Sequence, residues 1–389
     1  MPNADLDRRT LLVGAGGALA AAALGGAAPA GAARRFDPAL ARRLEGVLHD
    51  AVSGSGPHSP GAILHVRSRK LGSWTGVAGR GRIEPRERMR RGDRFRAGSI
   101  AKMFVATAVL QLAERGRLSL DARLPTVLPA SITGRFQNTG DITVRMLLNH
   151  RSGIPEWDSP ELDVEIAAHP ARVWTVGELL DLAAAKPPVF APGTSYSYSN
   201  TDYTLLGLIV ERLTGHSWRR QVTRRVIAPL GLSRTDLPAP GNREIKGPHA
   251  HGYRQVGGRT VDVTRLDPSI AGAAGGNALV TTVQDLGRFL DALLNGRLFA
   301  RRRTLRQMLT FGPATGEGGV TGYGLGVERR VFPGDVEAIG HLGGTAGYFS
   351  FVARLRAPGV TIVTLSNSED DPTPLIVPAA QAVAAQAGA

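Results

Sequence analysis

At 389 residues the chain is long enough for one large domain or two lobes, and 42 % hydrophobic residues is ordinary for a globular core. It contains no cysteine, which excludes disulfides, a cysteine nucleophile, cysteine-ligated zinc and a lipoprotein-type lipid anchor. The net charge of +14 comes from scattered arginines with only 5 % aromatic residues. That pattern fits residence near a polyanionic wall or membrane surface, and it argues against nucleic-acid binding.

Residues 1–33 read as an export signal. Asp7-Arg8-Arg9-Thr10-Leu11-Leu12 has the form of a twin-arginine leader, followed by a Gly/Ala-rich apolar stretch over 13–28. Small residues at Ala28-Pro29-Ala30 or Gly31-Ala32-Ala33 suit cleavage, so the mature chain is expected to be secreted. The stretch is too short and too glycine-rich for a stable membrane span, and no other run reaches that length.

A helix is expected over 35–51, with Leu40, Leu44, Val47, Leu48 and Ala51 on one side. Residues 62–66 and 74–79 read as a strand hairpin, and the basic stretch 86–96 as a solvated loop. Residues 99–114 form the next helix. From 118 to 290 the pattern is mostly helical. Thr143 and Thr282 stand as caps, Thr175 with Glu178 as a capping box, and residues 203–213 as a helix ended near Gly215. After Gly312 strands are expected over 322–330, 336–340, 347–355 and 360–366, with turns at Gly334 and Pro358-Gly359 and a closing helix over 374–387. Strands at both ends with helices between them predict an α+β fold. Its sheet lobe takes 34–98 and 291–389, and its helical lobe 99–290.

Gly98-Ser99-Ile100-Ala101-Lys102 opens the 99–114 helix. Serine three residues before lysine puts both side chains on one helix face. A hydroxyl becomes a useful nucleophile when a neighbour takes its proton, and a desolvated lysine near a helix start can be neutral enough to help. Lys102 is one of four lysines against 43 arginines. In such a chain, lysine at this place points to an amine that must be able to lose its charge. The bland alternative is that Ser99 caps the helix and Lys102 is a solvated first-turn charge. Two further clusters stand out. Tyr196-Ser197-Tyr198-Ser199-Asn200 is a hydroxyl-rich loop at a helix entrance, and His341-Leu342-Gly343-Gly344-Thr345-Ala346-Gly347 is a glycine turn at the edge of the late strands.

S-x-x-K, then Y-x-N about a hundred residues on, then H-x-G on a late strand resembles the serine β-lactamase and penicillin-binding superfamily. The tyrosine in the second motif is similar to the branch of class C β-lactamases, D-alanyl-D-alanine carboxypeptidases and related esterases. Pro60-Gly61-Ala62, Arg94-Phe95-Arg96-Ala97-Gly98-Ser99 and Leu147-Leu148-Asn149-His150-Arg151-Ser152-Gly153-Ile154 extend the likeness over residues 60–366. The resemblance implies Ser99 as nucleophile, with Lys102 and Tyr198 sharing the base role. Asn200, His341 and Gly343 would bind substrate, and the backbone N–H groups of Ser99 and Gly344 would form the oxyanion hole. It implies no metal or organic cofactor. Tyr198 would serve if nearby ammonium groups lowered its pKa. His150 is expected to be a hydrogen-bonded structural residue, and His249-Ala250-His251 a loop pair without an acidic partner. Histidine at 341 resembles some DD-peptidases, whereas Leu342 replaces the hydroxyl that normally helps hold a substrate carboxylate.

These readings predict a secreted, monomeric serine hydrolase acting on a small-molecule or peptide substrate, first of all a D-Ala-D-Ala carboxypeptidase. An esterase or β-lactamase on the same fold is the near alternative, and a penicillin-binding sensor without turnover the distant one.

Overall fold

Val360–Ser366 is buried along its whole length and lies inside an eight-stranded antiparallel sheet in the computed structural model of the chain. The structure describes residues 35–53, 59–271, 279–314, 319–356 and 359–388, so the expected leader lies outside the described residues. From edge to edge the strands run Glu87–Arg88, Gly72–Arg82, Gly61–Ser68, Val360–Ser366, Tyr348–Leu355, Val336–Thr345, Glu328–Phe332 and Val320–Tyr323. N- and C-terminal segments therefore meet mid-sheet, where Ala62 pairs with Ser366 and Arg67 with Thr361.

Each face of the sheet buries a different set of helices. On one, Leu40, Leu44 and Leu48 of Pro38–Ser53 and Leu375, Ile376 and Val383 of Thr373–Gly388 pack on Leu64, Phe351 and Ile362. On the other lies Ala101–Glu114, which is buried at every position from Ala101 to Leu112 and so forms an axis of the core rather than an amphipathic surface helix. Phe104 stacks on Phe289 of Val283–Leu294, with ring centres 3.7 Å apart. Helix Asn200–Thr214 packs in the same core through Tyr203, Leu206, Ile209 and Val210. The architecture is the expected α+β arrangement.

Local chemistry sets the helix ends as the sequence predicts. Thr143 accepts the N–H of Met146, Thr282 that of Asp285, and Thr175 with Glu178 completes a capping box. Gly215 closes Asn200–Thr214 in the left-handed conformation. Two expectations are corrected. The stretch 86–96 is not simply solvated. Phe95–Arg96 pairs with Val280–Thr281, and the buried Arg96 guanidinium donates to the carbonyls of Thr264, Leu266 and Arg243. The strand expected over 322–330 is two strands. Between them Leu325 N–H bonds to Met308 O and Gly326 N–H to Leu148 O, which ties the chain to the ends of helices Arg302–Met308 and Val144–Leu148.

The helix Val283–Leu294 crosses the lobe boundary expected near 291 and is tied to the sheet by Asp291. Its carboxylate takes Arg67 Nε at 2.6 Å, Arg354 Nη2 at 2.7 Å and Thr361 Oγ1 at 2.6 Å. Among the described residues no helix is long and apolar enough to cross a membrane. Asp291→Ala strands two guanidiniums and is expected to cost roughly 2–3 kcal/mol in urea unfolding, under the range for fully buried pairs because Arg67 is partly exposed. An unchanged unfolding midpoint would mean that the helix is held by its apolar face alone.

Candidate active site

Ser99 lies in a one-turn 3₁₀ segment, Gly98–Ile100, that runs directly into Ala101–Glu114. No side chain caps that start, so Ser99 does not serve as an N-cap. Its side chain is half-buried, while Lys102 is wholly buried one turn on. Lys102 Nζ donates to Ser99 Oγ at 3.0 Å and to Asn200 Oδ1 at 2.6 Å. Asn200, first residue of Asn200–Thr214, therefore holds the amine rather than capping its own helix. Tyr198 completes the group. Its hydroxyl is hydrogen-bonded to Ser99, and Lys102 Nζ stands 4.6 Å from its ring centre. The first two sequence motifs thus meet around one hydroxyl.

Burial governs the proton states. It drives the Lys102 amine from 10.5 down to about 7, although Glu156, Glu328, Asp158 and Asp202 pull the other way. Burial also pushes the Tyr198 phenol well above 10, against the hydrogen bond to Ser99 and with Glu328, Tyr196 and Tyr203 adding to the rise. The direction is opposite to the depressed Tyr198 expected from sequence. Near neutrality the group that changes charge is Lys102, and Tyr198 stays a protonated phenol.

His150 supports the second motif from behind, as the structural histidine expected from sequence. Ser199 N–H donates to His150 Nδ1 at 3.2 Å, which leaves the ring proton on Nε2. Asp202 Oδ2 lies 3.3 Å from the same Nδ1, and Ser152 Oγ donates to Asp202 Oδ1 at 2.6 Å. Burial raises the Asp202 pKa well above the usual carboxylate value and lowers that of His150 well below the usual imidazole value. Glu156 was not among the sequence candidates. Its Oε2 accepts the Asn200 N–H, so it orients the residue that orients Lys102. Its place directly after Ser152-Gly153-Ile154-Pro155 was the one available signal.

The third motif sits on Val336–Thr345, a strand that continues past its predicted end at 340 because Tyr348–Leu355 still pairs with it up to Thr345. His341 does not face open solvent; it is 1 % exposed. Its Nε2 is 2.9 Å from Tyr323 Oη, and its Nδ1 meets the carbonyl of Leu342. Burial lowers its pKa, with Lys102 assisting and Glu328 opposing. Leu342 points to the other face of the sheet and packs with the terminal helices. The missing hydroxyl there is thus not a loss inside the pocket. His251, expected to lack an acidic partner, in fact pairs with Asp262 at 2.6 Å.

Gly343 and Gly344 bring this strand onto the turn of Ser99. A Cβ at Gly343 would stand 2.2 Å from Ala97 O, and one at Gly98 would stand 2.5 Å from Gly344 O. Gly98 also has φ +54°, so glycine is required there on both counts. Ser350 Oγ, 2.8 Å from Ala97 O and 3.2 Å from Gly343 O, braces the contact. The N–H of Leu342 is donated to Glu328, away from Tyr348–Leu355. Peptide directions alternate along a strand, so the N–H and carbonyl of Gly344 face that same open edge, beside Gly98 and Ser99.

The chain and its fold have counterparts among known proteins. The family profile described as Beta-lactamase matches residues 40–386. The chain belongs to the β-lactamase family. Members similar to it include penicillin-binding protein 4 of Amycolatopsis lactamdurans, 29 % identical over 342 residues, covering 85 % of this chain and 80 % of that one. The solved D-stereospecific amidohydrolase from Streptomyces sp. is 34 % identical with a TM-score of 0.77, over 86 % of this chain and 97 % of that one. The D-amino acid amidase from Ochrobactrum anthropi SV3, solved with D-phenylalanine, is 25 % identical with a TM-score of 0.77, over 90 % and 99 %. This β-lactamase family member is a serine hydrolase related to penicillin-binding proteins and to D-amino acid amidases.

With only four lysines, the chain suits NMR of side-chain-labelled lysine. One of the four resonances is expected to titrate near 7 and to vanish in Lys102→Met. Four resonances all titrating above 10 would contradict the desolvated amine.

Proposed function

We propose that this protein hydrolyses amides and esters of D-configured acyl groups through a Ser99 acyl-enzyme, favouring substrates without a free carboxylate on the leaving side. The observation that carries the reaction is the contact of a buried, easily neutralised Lys102 amine with Ser99 Oγ. Lys102 accepts the Ser99 proton as Oγ bonds to the substrate carbonyl carbon. Tyr198, a phenol hydrogen-bonded to that oxygen, passes its proton to the leaving nitrogen or oxygen as the bond to carbon breaks, and the proton taken up by Lys102 returns to Tyr198. Backbone N–H groups of Ser99 and Gly344 receive the oxyanion. Asn200 keeps the Lys102 amine aimed and offers its amide to the substrate. Water then attacks the acyl carbon and gives a proton to Lys102, the bond to Oγ breaks as that proton passes to Oγ, and the free acid leaves.

The substrate preference rests on the third motif. With His341 turned to Tyr323 and Leu342 turned to the far face, that motif supplies neither cation nor hydroxyl to a terminal carboxylate. Similarity to a D-stereospecific amidohydrolase and a D-amino acid amidase supports the same choice. A D-Ala-D-Ala carboxypeptidase is the second reading, favoured by similarity to a penicillin-binding protein. We read Arg8-Arg9 as routing the enzyme out of the cytoplasm by the twin-arginine pathway.

The test is kcat/KM for D-phenylalaninamide, a p-nitrophenyl ester, nitrocefin and a D-Ala-D-Ala peptide, in wild type and Ser99→Ala. The amide and ester are expected to exceed the carboxylate-ended peptide by ~10-fold or more, about the worth of one lost charge-assisted contact. Ser99→Ala is expected to abolish all turnover. A peptide preferred over the amide supports the carboxypeptidase instead, and stoichiometric penicillin labelling without product release supports a sensor.

A further inference from the structure

One edge of the strand that carries the third motif is open beside Ser99. Glu328–Phe332 pairs with Val336–Thr345 only as far as the rung joining Glu328 to Gly340. Before Glu328 the chain bends away through Gly324-Leu325-Gly326, and a Cβ at Gly326 would meet Ala106 Cβ at 2.5 Å and Tyr203 Oη at 2.7 Å. The chain that could have extended the ladder is spent on contact with the helix that carries Lys102. From His341 to Thr345 one edge of the strand is left without a backbone partner from Glu328–Phe332.

Glu328 fills the first vacant position with its side chain. Its Oε2 accepts the N–H of Leu342 at 3.1 Å, where the next strand carbonyl would have stood. The same oxygen takes Arg330 Nε at 2.8 Å, and Oε1 lies 3.6 Å from His341 Nδ1. The carboxylate is buried, with 7 % of the side chain exposed. Burial raises its pKa, but His341, Arg330 and the bonds it accepts bring it below the ordinary value, so it is charged. The next N–H on that edge after Leu342 is that of Gly344, whose backbone lies so close to Gly98 that a Cβ there would meet Gly344 N at 2.9 Å.

We propose that Glu328 is a positioning residue for the oxyanion hole: its carboxylate continues the broken ladder by one rung and so holds the Gly344 N–H toward Ser99. This rests on the Ser99 acyl-enzyme reading above. Glu328 touches no substrate; it acts through Leu342 and the peptide direction of the strand. His341 and Arg330 fix the carboxylate. His341 is thereby part of a support for the strand, which explains its burial in a motif expected to bind substrate.

The experiment compares an oxygen ester with its thionoester analogue, whose sulfur is a poor acceptor for oxyanion-hole donors. Glu328→Ala is expected to lower kcat for the oxygen ester by roughly 10²-fold, in the range for loss of one such donor, with KM little changed. The thionoester rate should stay within a few-fold, so the ester/thionoester ratio collapses. Two further variants separate reach from charge and serve if the alanine form does not fold. Glu328→Gln keeps an oxygen within reach of Leu342 N–H and should retain the wild-type ratio. Glu328→Asp keeps the charge beside Arg330 but falls short of Leu342, and should behave like alanine. An aspartate form with the wild-type ratio and a defective glutamine form would overturn the proposal, as would equal loss on both substrates in every variant. Wild-type turnover that survived Ser99→Ala would instead sink the acyl-enzyme reading itself.

Discussion

Everything in this molecule turns on an amine held where water cannot reach it. Lys102 lies in a helix buried along nearly its whole length, and its ammonium form has given up hydration for two neutral acceptors, Ser99 Oγ and Asn200 Oδ1. That environment is costly for a charge and tolerable for a neutral amine, which is how an apolar core produces a base near neutral pH. Arginine, the cation the chain uses almost everywhere else, cannot lose its proton under such conditions. The apolar helix supports function because it is apolar: adding solvation around Lys102 would restore the ordinary pKa and remove the base.

A second constraint comes from the sheet. Continuous pairing would satisfy every backbone group and leave no place for a substrate carbonyl. Here the pairing stops at Gly340, the edge beyond is closed by one carboxylate, and the next peptide lies against the nucleophile turn. Three glycines, Gly98, Gly343 and Gly344, allow that approach, the first two because no Cβ fits. His150 and Asp202 hold the Tyr198-Ser199-Asn200 loop from behind. Stability and chemistry draw on the same buried polar groups, although His150 Nε2 and Ser199 Oγ find no hydrogen-bond partner.

Much of this was legible in the sequence. Helix periodicity, threonine caps and strand texture gave the α+β fold, because those signals are local and the structure does not override them. Ser99, Lys102, Tyr198 and Asn200 could be grouped because their spacings carry the chemistry. The proton state of Tyr198 could not be read, since it depends on how completely three chain segments exclude water from one phenol. Alternation along a strand puts His341 and Leu342 on opposite faces, yet the glycines at 343 and 344 read as the strand's end and hid that inference. Glu156 had one local sign, its place directly after Ser152-Gly153-Ile154-Pro155, and Glu328 had none. Each acts on a residue reached only through the fold, Asn200 in one case and Leu342 in the other.

The most direct test of the account is the rate at which a small fluorophosphonate labels Ser99 as pH is varied, with the adduct located by mass spectrometry. An amine poised by burial predicts labelling on Ser99 that rises with a midpoint of about 7 and is flat above it. A rate still climbing toward the ordinary lysine value of 10.5, or an adduct on another residue, would contradict it.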